Sequence, residues 1–277
     1  MKIWLARHFF AIFKYFVYLA LAADVGFFFV EEWLAAQHVF QDGLPWLQVI
    51  QGFAATIDTA AWVVLLLMFE LETYQLSEIR VSASVTSSFM AVRTLCYGLI
   101  VYALYGYVLK AFALGEYQLV MISTSCDYIV QGYGMLSAVD EYDVLTTDNC
   151  LNLAGLVYLN EAIRALASPT IFEGVVNLAR IDVVNAITWI LVVIMLELDV
   201  WLGVRGRLVK HYEWISWRLK MVLYFVLLVV AGYWGWAGDF LDFWDAFLWI
   251  LAFVFIERSV FVWEKDKARN SAQGVQA

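Results

Sequence analysis

Six long runs of apolar residues restrict the possible folds of this chain more than any other feature does. They cover roughly 9–30, 53–73, 89–112, 182–202, 217–237 and 241–263. A helix needs roughly 20 apolar residues to cross the hydrocarbon core of a bilayer, because the core is about 30 Å thick. Hydrophobic residues make up 64% of the chain, whereas soluble domains contain about 45–50%. The sequence therefore predicts an all-α integral membrane protein with six transmembrane helices.

Lysine and arginine residues predict the direction of these spans, because cytoplasmic loops of membrane proteins carry an excess of both. One set of span ends carries most of them, and the opposite set has little more than Lys110, Arg164 and Arg180. We therefore expect both termini in the cytoplasm, most simply of a bacterial inner membrane. The stretch LALAAD at 19–24 resembles a signal-peptide cleavage site, but Lys14 interrupts the apolar run before it. We expect an uncleaved first span.

Two stretches of the chain are nearly the same. WVVLLLMFELE at 62–72 aligns without a gap on WILVVIMLELD at 189–199, which lies 127 positions later. With the same offset, Arg93 falls on Lys220. A shared apolar bias does not explain this agreement of polar positions, although overall identity is modest. We interpret the pattern as an internal duplication.

Each copy of the duplication, about 45–112 and 169–237, is predicted to be a two-helix hairpin. A proline stands near the start of each copy, where a helix tolerates it. The first helix of each copy is then longer than the bilayer is thick, and we expect its surplus, with Asp58 and Asp182, to project into water. The hairpins would be parallel and related by an axis along the membrane normal, as in parallel-repeat transporters.

The segment 113–181 between the third and fourth spans is too long for a simple connector. Cys126 and Cys150 lie in it and would face an oxidising compartment, so we predict a disulfide between them, with two free thiols as the alternative. YLNEAIRALAS at 158–168 is interpreted as an amphipathic helix on the membrane surface. The predicted units are 1–112 with the first repeat, an outer subdomain 113–168, the second repeat 169–237, a sixth span 238–263 and a cytoplasmic tail 264–277.

Two pairs of opposite charges are expected near the cytoplasmic side of the bilayer. Glu70 should lie at the depth of Arg93, and Glu197 at the depth of Lys220. Ionisable groups inside membranes commonly belong to relays or gates. Near the headgroups, however, such pairs also fix helices in place while the long basic side chains reach the interface. We favour this structural role.

Acidic residues are predicted to mark the opposite side. Asp24 lies well inside the first span, and Asp239, Asp242 and Asp245 share one helical stripe at the outer start of the sixth span. One interpretation is the mouth of a cation pathway. The other is a capped helix start, because aspartate is favoured in a first turn. Capping accounts for Asp239 and Asp242 better than for Asp245, which lies deeper.

The sequence lacks the features that several classes of function require. The net charge of −9 argues against nucleic acid as a partner, because such binding needs a basic surface. The histidines and cysteines are not at metal-ligand spacings, and motifs such as G-x-S-x-G and H-E-x-x-H are absent, so we expect no metal, cofactor or enzymatic activity. We predict a component of a larger membrane assembly that contacts lipids and either other membrane subunits or further copies of itself. The alternative is a homo-oligomeric cation or proton channel or transporter built on the twofold-related charge pairs.

Overall fold

The protein is a helical bundle with a small β-sheet at one end. This computed structural model describes residues 2–41, 43, 45, 48–74, 83–204 and 210–253. The helices are α1 (Lys2–Val39), α2 (Val49–Gly52), α3 (Ala54–Tyr74), α4 (Ala83–Ala113), α5 (Pro169–Val204) and α6 (Lys210–Ala237), followed by α7 at 240–253. The strands are β1 (Gln118–Ile122), β2 (Gly134–Ala138), β3 (Glu141–Val144), β4 (Gly155–Asn160) and β5 (Ala165–Ala167).

Within the described residues, five helices are long and apolar enough to cross a membrane. Their apolar stretches are Ile12–Val39, Ala54–Glu72, Ser84–Glu116, Pro169–Asp199 and Trp214–Ala237, the third of which continues past the end of α4. These stretches overlap the first five predicted spans, as expected of an integral membrane protein. The predicted sixth span, 241–263, continues past residue 253 and so lies partly outside the described residues.

The long first helix predicted for the first repeat is interrupted at Phe53, between α2 and α3. Gly52 weakens the helix there, because glycine is a poor helix former. The interruption leaves backbone N–H groups without helical partners at the start of α3. The Glu32 carboxylate of α1 accepts two of them, from Ala55 at 2.9 Å and Thr56 at 3.0 Å. The second copy needs no such contact, because α5 runs unbroken from Pro169.

The prediction of an all-α fold was correct only in part: the chain is mostly helical, but between α4 and α5 it forms a five-stranded sheet. Its strand order is β1-β4-β5-β2-β3, with β2 and β5 parallel and the other neighbours antiparallel. The segment 158–168, predicted as a surface helix, instead contains the end of β4, a turn and β5. Both sheet faces are covered there: Leu159 packs in one apolar cluster and Tyr158 against another. Polar and apolar residues therefore do not alternate as in a strand with one wet face.

The predicted disulfide between Cys126 and Cys150 is confirmed. It joins two short 3-10 segments, Ser125–Gln131 and Cys150–Asn152, beside the sheet. The buried Ser125 hydroxyl also donates to the carbonyl of Cys150 at 2.6 Å. Closing a loop of 24 residues is expected to stabilise the fold by roughly 3 kcal/mol, mainly by restricting the unfolded chain.

The sheet packs closely on the ends of α1 and α5. The His38 ring at the end of α1 stacks on Tyr142 of β3, with ring centroids 4.6 Å apart. Gly134 makes this approach possible, because a Cβ there would lie 2.6 Å from the His38 ring. Tyr158 of β4 stacks on Phe172 of α5 at 3.9 Å. The sheet is therefore fixed directly above the bundle. We call this the sheet end of the bundle and the opposite end the far end.

Candidate functional site

A small cavity lies at the sheet end, enclosed by α1, α3, α4, α5, α6, α7 and the turn between β2 and β3. Its volume is about 60 Å³, which leaves space for roughly four water molecules. Carboxylates dominate the walls, and we call the cavity the acidic chamber. Its seven acidic side chains from the described residues are Glu31, Glu32, Asp58, Asp140, Asp182, Asp242 and Asp245.

Lys110 of α4 is the basic side chain that the described part of the chain contributes to the chamber. Its Nζ lies 2.8 Å from Glu32 and 2.6 Å from Asp140. Asp140 occupies the β2–β3 turn with φ of 58°, a conformation that aspartate tolerates better than most residues. Burial is the main reason that the pKa of the neighbouring Tyr142 is raised well above its usual range, so this hydroxyl stays neutral. One amine thus joins α1, α4 and the sheet.

Two further aspartates in the chamber are held by neutral donors. Asp58 accepts a hydrogen bond from the indole N–H of Trp62 at 3.0 Å, and the Tyr107 hydroxyl lies 3.5 Å from its other oxygen. Asp182 accepts from the indole N–H of Trp234 at 3.2 Å. Tyr107 and Trp234 are 127 positions apart, the same offset as the two similar sequence stretches. At both positions of the predicted repeat, a donor therefore faces a carboxylate.

The acidic residues predicted in α1 and the sixth span lie in or below the chamber. Asp239 caps α7 by accepting the backbone N–H of Asp242 at 3.3 Å, whereas Asp242 and Asp245 line the cavity. Asp24 is 1% exposed and lies seven residues before Glu31, about 10 Å deeper along α1.

Among the described residues, both oxygens of Asp24 and one oxygen of Asp245 lack the hydrogen-bond partners that a buried charge needs. The Asp245 oxygen is Oδ1, and all three atoms are buried. A buried ionised carboxylate without a partner costs several kcal/mol. It therefore takes up a proton or attracts a cation. The chamber as a whole has the same imbalance, since its seven carboxylates face one amine.

The chamber is not arranged as a multidentate metal centre. Across the residues that the structure describes, no group of three or more carboxylate, histidine or cysteine side chains is placed to hold one metal ion. The carboxylates are distributed over several helices and the sheet turn rather than converging on one point.

At the far end, the basic residue of the first predicted charge pair, Arg93, contacts a different glutamate from the one predicted. Arg93 contacts Glu72 at 2.7 Å rather than Glu70. Successive helical residues are rotated by about 100°, so two residues that are two positions apart face nearly opposite sides of α3. Glu72 consequently faces α4, and Glu70 faces α1. There Glu70 forms an ion pair with Lys14 and lies 3.4 Å from the Tyr18 hydroxyl.

The second predicted pair changes in the same way. Lys220 contacts Asp199 at 2.6 Å rather than Glu197. The Ser216 hydroxyl donates to the same carboxylate at 2.7 Å. Glu197 instead accepts a hydrogen bond of 2.6 Å from the Tyr97 hydroxyl of α4. The two observed ion pairs thus lie 127 positions apart, the offset between the two similar sequence stretches, and each acidic partner lies two positions after the predicted one.

Most residues of the chamber were not predicted from the sequence. Asp58 and Asp182 were expected to project into water, and Tyr107 was not singled out. One sequence pattern could have indicated the site. Asp58 precedes Trp62 by four residues, just as Asn185 precedes Trp189. A polar residue one helical turn before each Trp of the repeat faces the bundle interior together with that Trp.

The comparisons with known proteins do not supply a function. No protein family model matches the chain, and no curated protein or solved structure matches it. The chamber and its surroundings are thus the basis for a functional proposal.

Proposed function

We propose that the protein takes up protons or small monovalent cations into the acidic chamber and passes them across the membrane. The observation that carries this proposal is the set of seven carboxylates that face a single lysine among the described residues, with both oxygens of Asp24 and one oxygen of Asp245 lacking hydrogen-bond partners. Such a site at the edge of a low-dielectric interior attracts positive charge strongly. Its small volume argues against larger organic substrates.

The proposed orientation places the sheet end outside a bacterial inner membrane and the far end in the cytoplasm. The excess of lysine and arginine at the far-end loops supports this direction. The disulfide beside the sheet supports it independently, because disulfides persist in oxidising compartments. We take α7 as the start of a sixth span. The chamber is then the entry side.

The proposed route leads from the chamber to Asp24, which lies about halfway along the membrane stretch of α1. Beyond Asp24 the core becomes apolar, with the buried side chains of Val17, Leu21, Leu66 and Val192. These residues separate Asp24 from the Lys14–Glu70 pair at the far end. An apolar layer of this kind blocks ions until it rearranges or fills with water. The barrier supports a gated transporter rather than an open pore.

The repeat supplies the element that we propose moves. The Arg93–Glu72 and Lys220–Asp199 pairs each bridge 21 positions and tie the two helices of their hairpin together. Two hairpins fixed internally in the same way are suited to rock against each other as units. Parallel-repeat transporters open and close by such motions of one repeat against another.

Purified protein in vesicles carrying a pH-sensitive dye tests the proposal. We expect the vesicle lumen to acidify when the external medium is made acidic and potassium with valinomycin compensates the charge. Asp58→Asn should slow this uptake by about tenfold, equivalent to only ~1.4 kcal/mol in the barrier. Glu173→Gln, an exposed carboxylate on α5 outside the chamber, is the matched control and should not change it. Uptake no faster than in protein-free vesicles for protons, sodium and potassium alike would rule the proposal out.

A second function is supported by a different surface. Leu119, Met121 and Leu156 form an apolar patch on the face of β1 and β4, with Met121 directly opposite Leu156. They are 53%, 72% and 50% exposed although they lie outside the membrane stretches. Exposed apolar patches on such a surface commonly mark protein contacts. The patch fits a component of a larger assembly.

Native mass spectrometry after gentle purification from the source membrane tests this second function. A foreign subunit in fixed ratio is expected if the patch is an interface, and Met121→Asp should release it. A protein without partners, or a subunit that stays bound to the Met121→Asp variant, would exclude the patch as the contact.

A further inference from the structure

A groove on the membrane-facing surface, separate from the chamber, lies between α4 and α5. Its volume is about 470 Å³, and its walls are almost entirely apolar, including Ile100, Ile190 and Ile194. Glu197, Tyr97 and Trp201 lie at its far-end portion. We call it the α4–α5 groove. A carboxylate at one end of an otherwise apolar groove is the feature that requires an explanation.

The groove has the length of one lipid chain. Its wall on α5 extends from Ile190 to Trp201, a distance of about 16 Å at the rise of an α-helix. One leaflet of the hydrocarbon core is about 15 Å thick. The end with Glu197 lies beside the Asp199–Lys220 ion pair, where headgroups are expected. An acyl chain of the far-end leaflet therefore fits along the groove with its headgroup at the end that carries both Glu197 and Trp201.

The groups at this end suit a positively charged headgroup. The Glu197 side chain is exposed and accepts the Tyr97 hydroxyl at 2.6 Å, which fixes its position. Trp201 follows four residues later, so its ring lies on the same side of α5. A carboxylate together with an indole ring attracts an ammonium group by charge and by cation–π contact. An anionic headgroup would be repelled.

The residue of the first hairpin that aligns with Glu197 has a basic partner, which Glu197 lacks among the described residues. Glu70 aligns with Glu197 and forms an ion pair with the Lys14 amine, which α1 supplies. Among the ion pairs of the described residues, none includes Glu197. Where the first copy faces a protein amine, the second copy faces the groove. We infer that the α4–α5 groove binds a membrane phospholipid with a primary-amine headgroup, whose ammonium group pairs with Glu197.

Lipid retention by the full chain tests this site. The protein is equilibrated in vesicles of equal phosphatidylethanolamine and phosphatidylglycerol with identical acyl chains, then extracted gently and examined by native mass spectrometry. We expect roughly fivefold preferential retention of the ethanolamine lipid, the ratio that a partly exposed ion pair of about 1 kcal/mol gives. Glu197→Gln should reduce the ratio to about one. Glu72→Gln, a carboxylate at the same end outside the groove, should leave it unchanged.

A second variant keeps the test decisive if Glu197→Gln does not fold. Ile194→Trp fills the groove without changing Glu197 and is expected to remove both retained lipids. Equal retention of the two lipids by the unaltered protein would overturn the site, and so would preferential retention of the glycerol lipid. A preference that survives Glu197→Gln, or a second copy of the chain in place of lipid, would overturn it as well.

Discussion

Asp24→Asn is expected to abolish ion uptake while leaving the protein as stable as before. The side chain is 1% exposed, and both of its oxygens lack hydrogen-bond partners among the described residues. Asparagine has nearly the same shape and removes the cost of a buried charge, so the midpoint of thermal unfolding should stay or rise. Uptake in vesicles should fall by about a hundredfold, because the amide neither accepts nor releases a proton.

The combination of lost uptake and retained stability separates a relay group from a structural one. Asp24→Glu keeps the titratable group and should restore part of the uptake. An Asp24→Asn protein with unchanged uptake would remove Asp24 from the route, and the chamber would then need another exit. A protein that unfolds more easily would assign Asp24 to structure.

Lys110→Met is expected to destabilise the protein strongly. Lys110 is 14% exposed and contacts Glu32 and Asp140, which are 2% and 23% exposed. Removing the amine leaves both carboxylates buried without their cation, a change that typically costs about 3–5 kcal/mol. Thermal unfolding in a fixed detergent, followed through tryptophan fluorescence, should show a clearly lower midpoint. Adding Asp140→Asn to Lys110→Met should recover part of the loss, because the two residues are in contact.

Arg93→Met is the matched control for Lys110→Met. Its ion pair with Glu72 has similar geometry, but both side chains are more than one-third exposed. An exposed pair contributes below about 1 kcal/mol, so the unfolding midpoint should hardly move. If both methionine variants lose the same stability, the Lys110 contacts are not the anchor between bundle and sheet that their burial indicates.

The sequence was sufficient for features that depend on short stretches. A membrane stretch is recognisable from roughly 20 residues, because every backbone polar group in lipid must be satisfied within its own helix. Pro169 likewise predicts where α5 begins, with the Ser168 hydroxyl accepting the N–H of Ile171 at 3.3 Å. The disulfide followed from two cysteines in one outer segment.

Features that depend on long-range packing were not predictable in this way. The strands were not predicted because both faces of the sheet are covered at β4. Tyr158 packs on one face and Leu159 on the other, so polar and apolar residues do not alternate along the strand. The chamber brings together Glu32, Asp58 and Asp182 from three helices. A local sequence pattern does not show which residues of different helices lie close together. The partners of Arg93 and Lys220 were misassigned because depth alone does not determine which side of a helix a residue faces.

The two contacts of Lys110 connect the sheet to the bundle. Glu32 caps the first turn of α3 while pairing with the same amine that contacts Asp140 of the sheet turn. If cations enter the chamber as proposed, they would compete with that amine for Glu32 and Asp140. Cation binding would then be coupled both to the order of the first turn of α3 and to the attachment of the sheet.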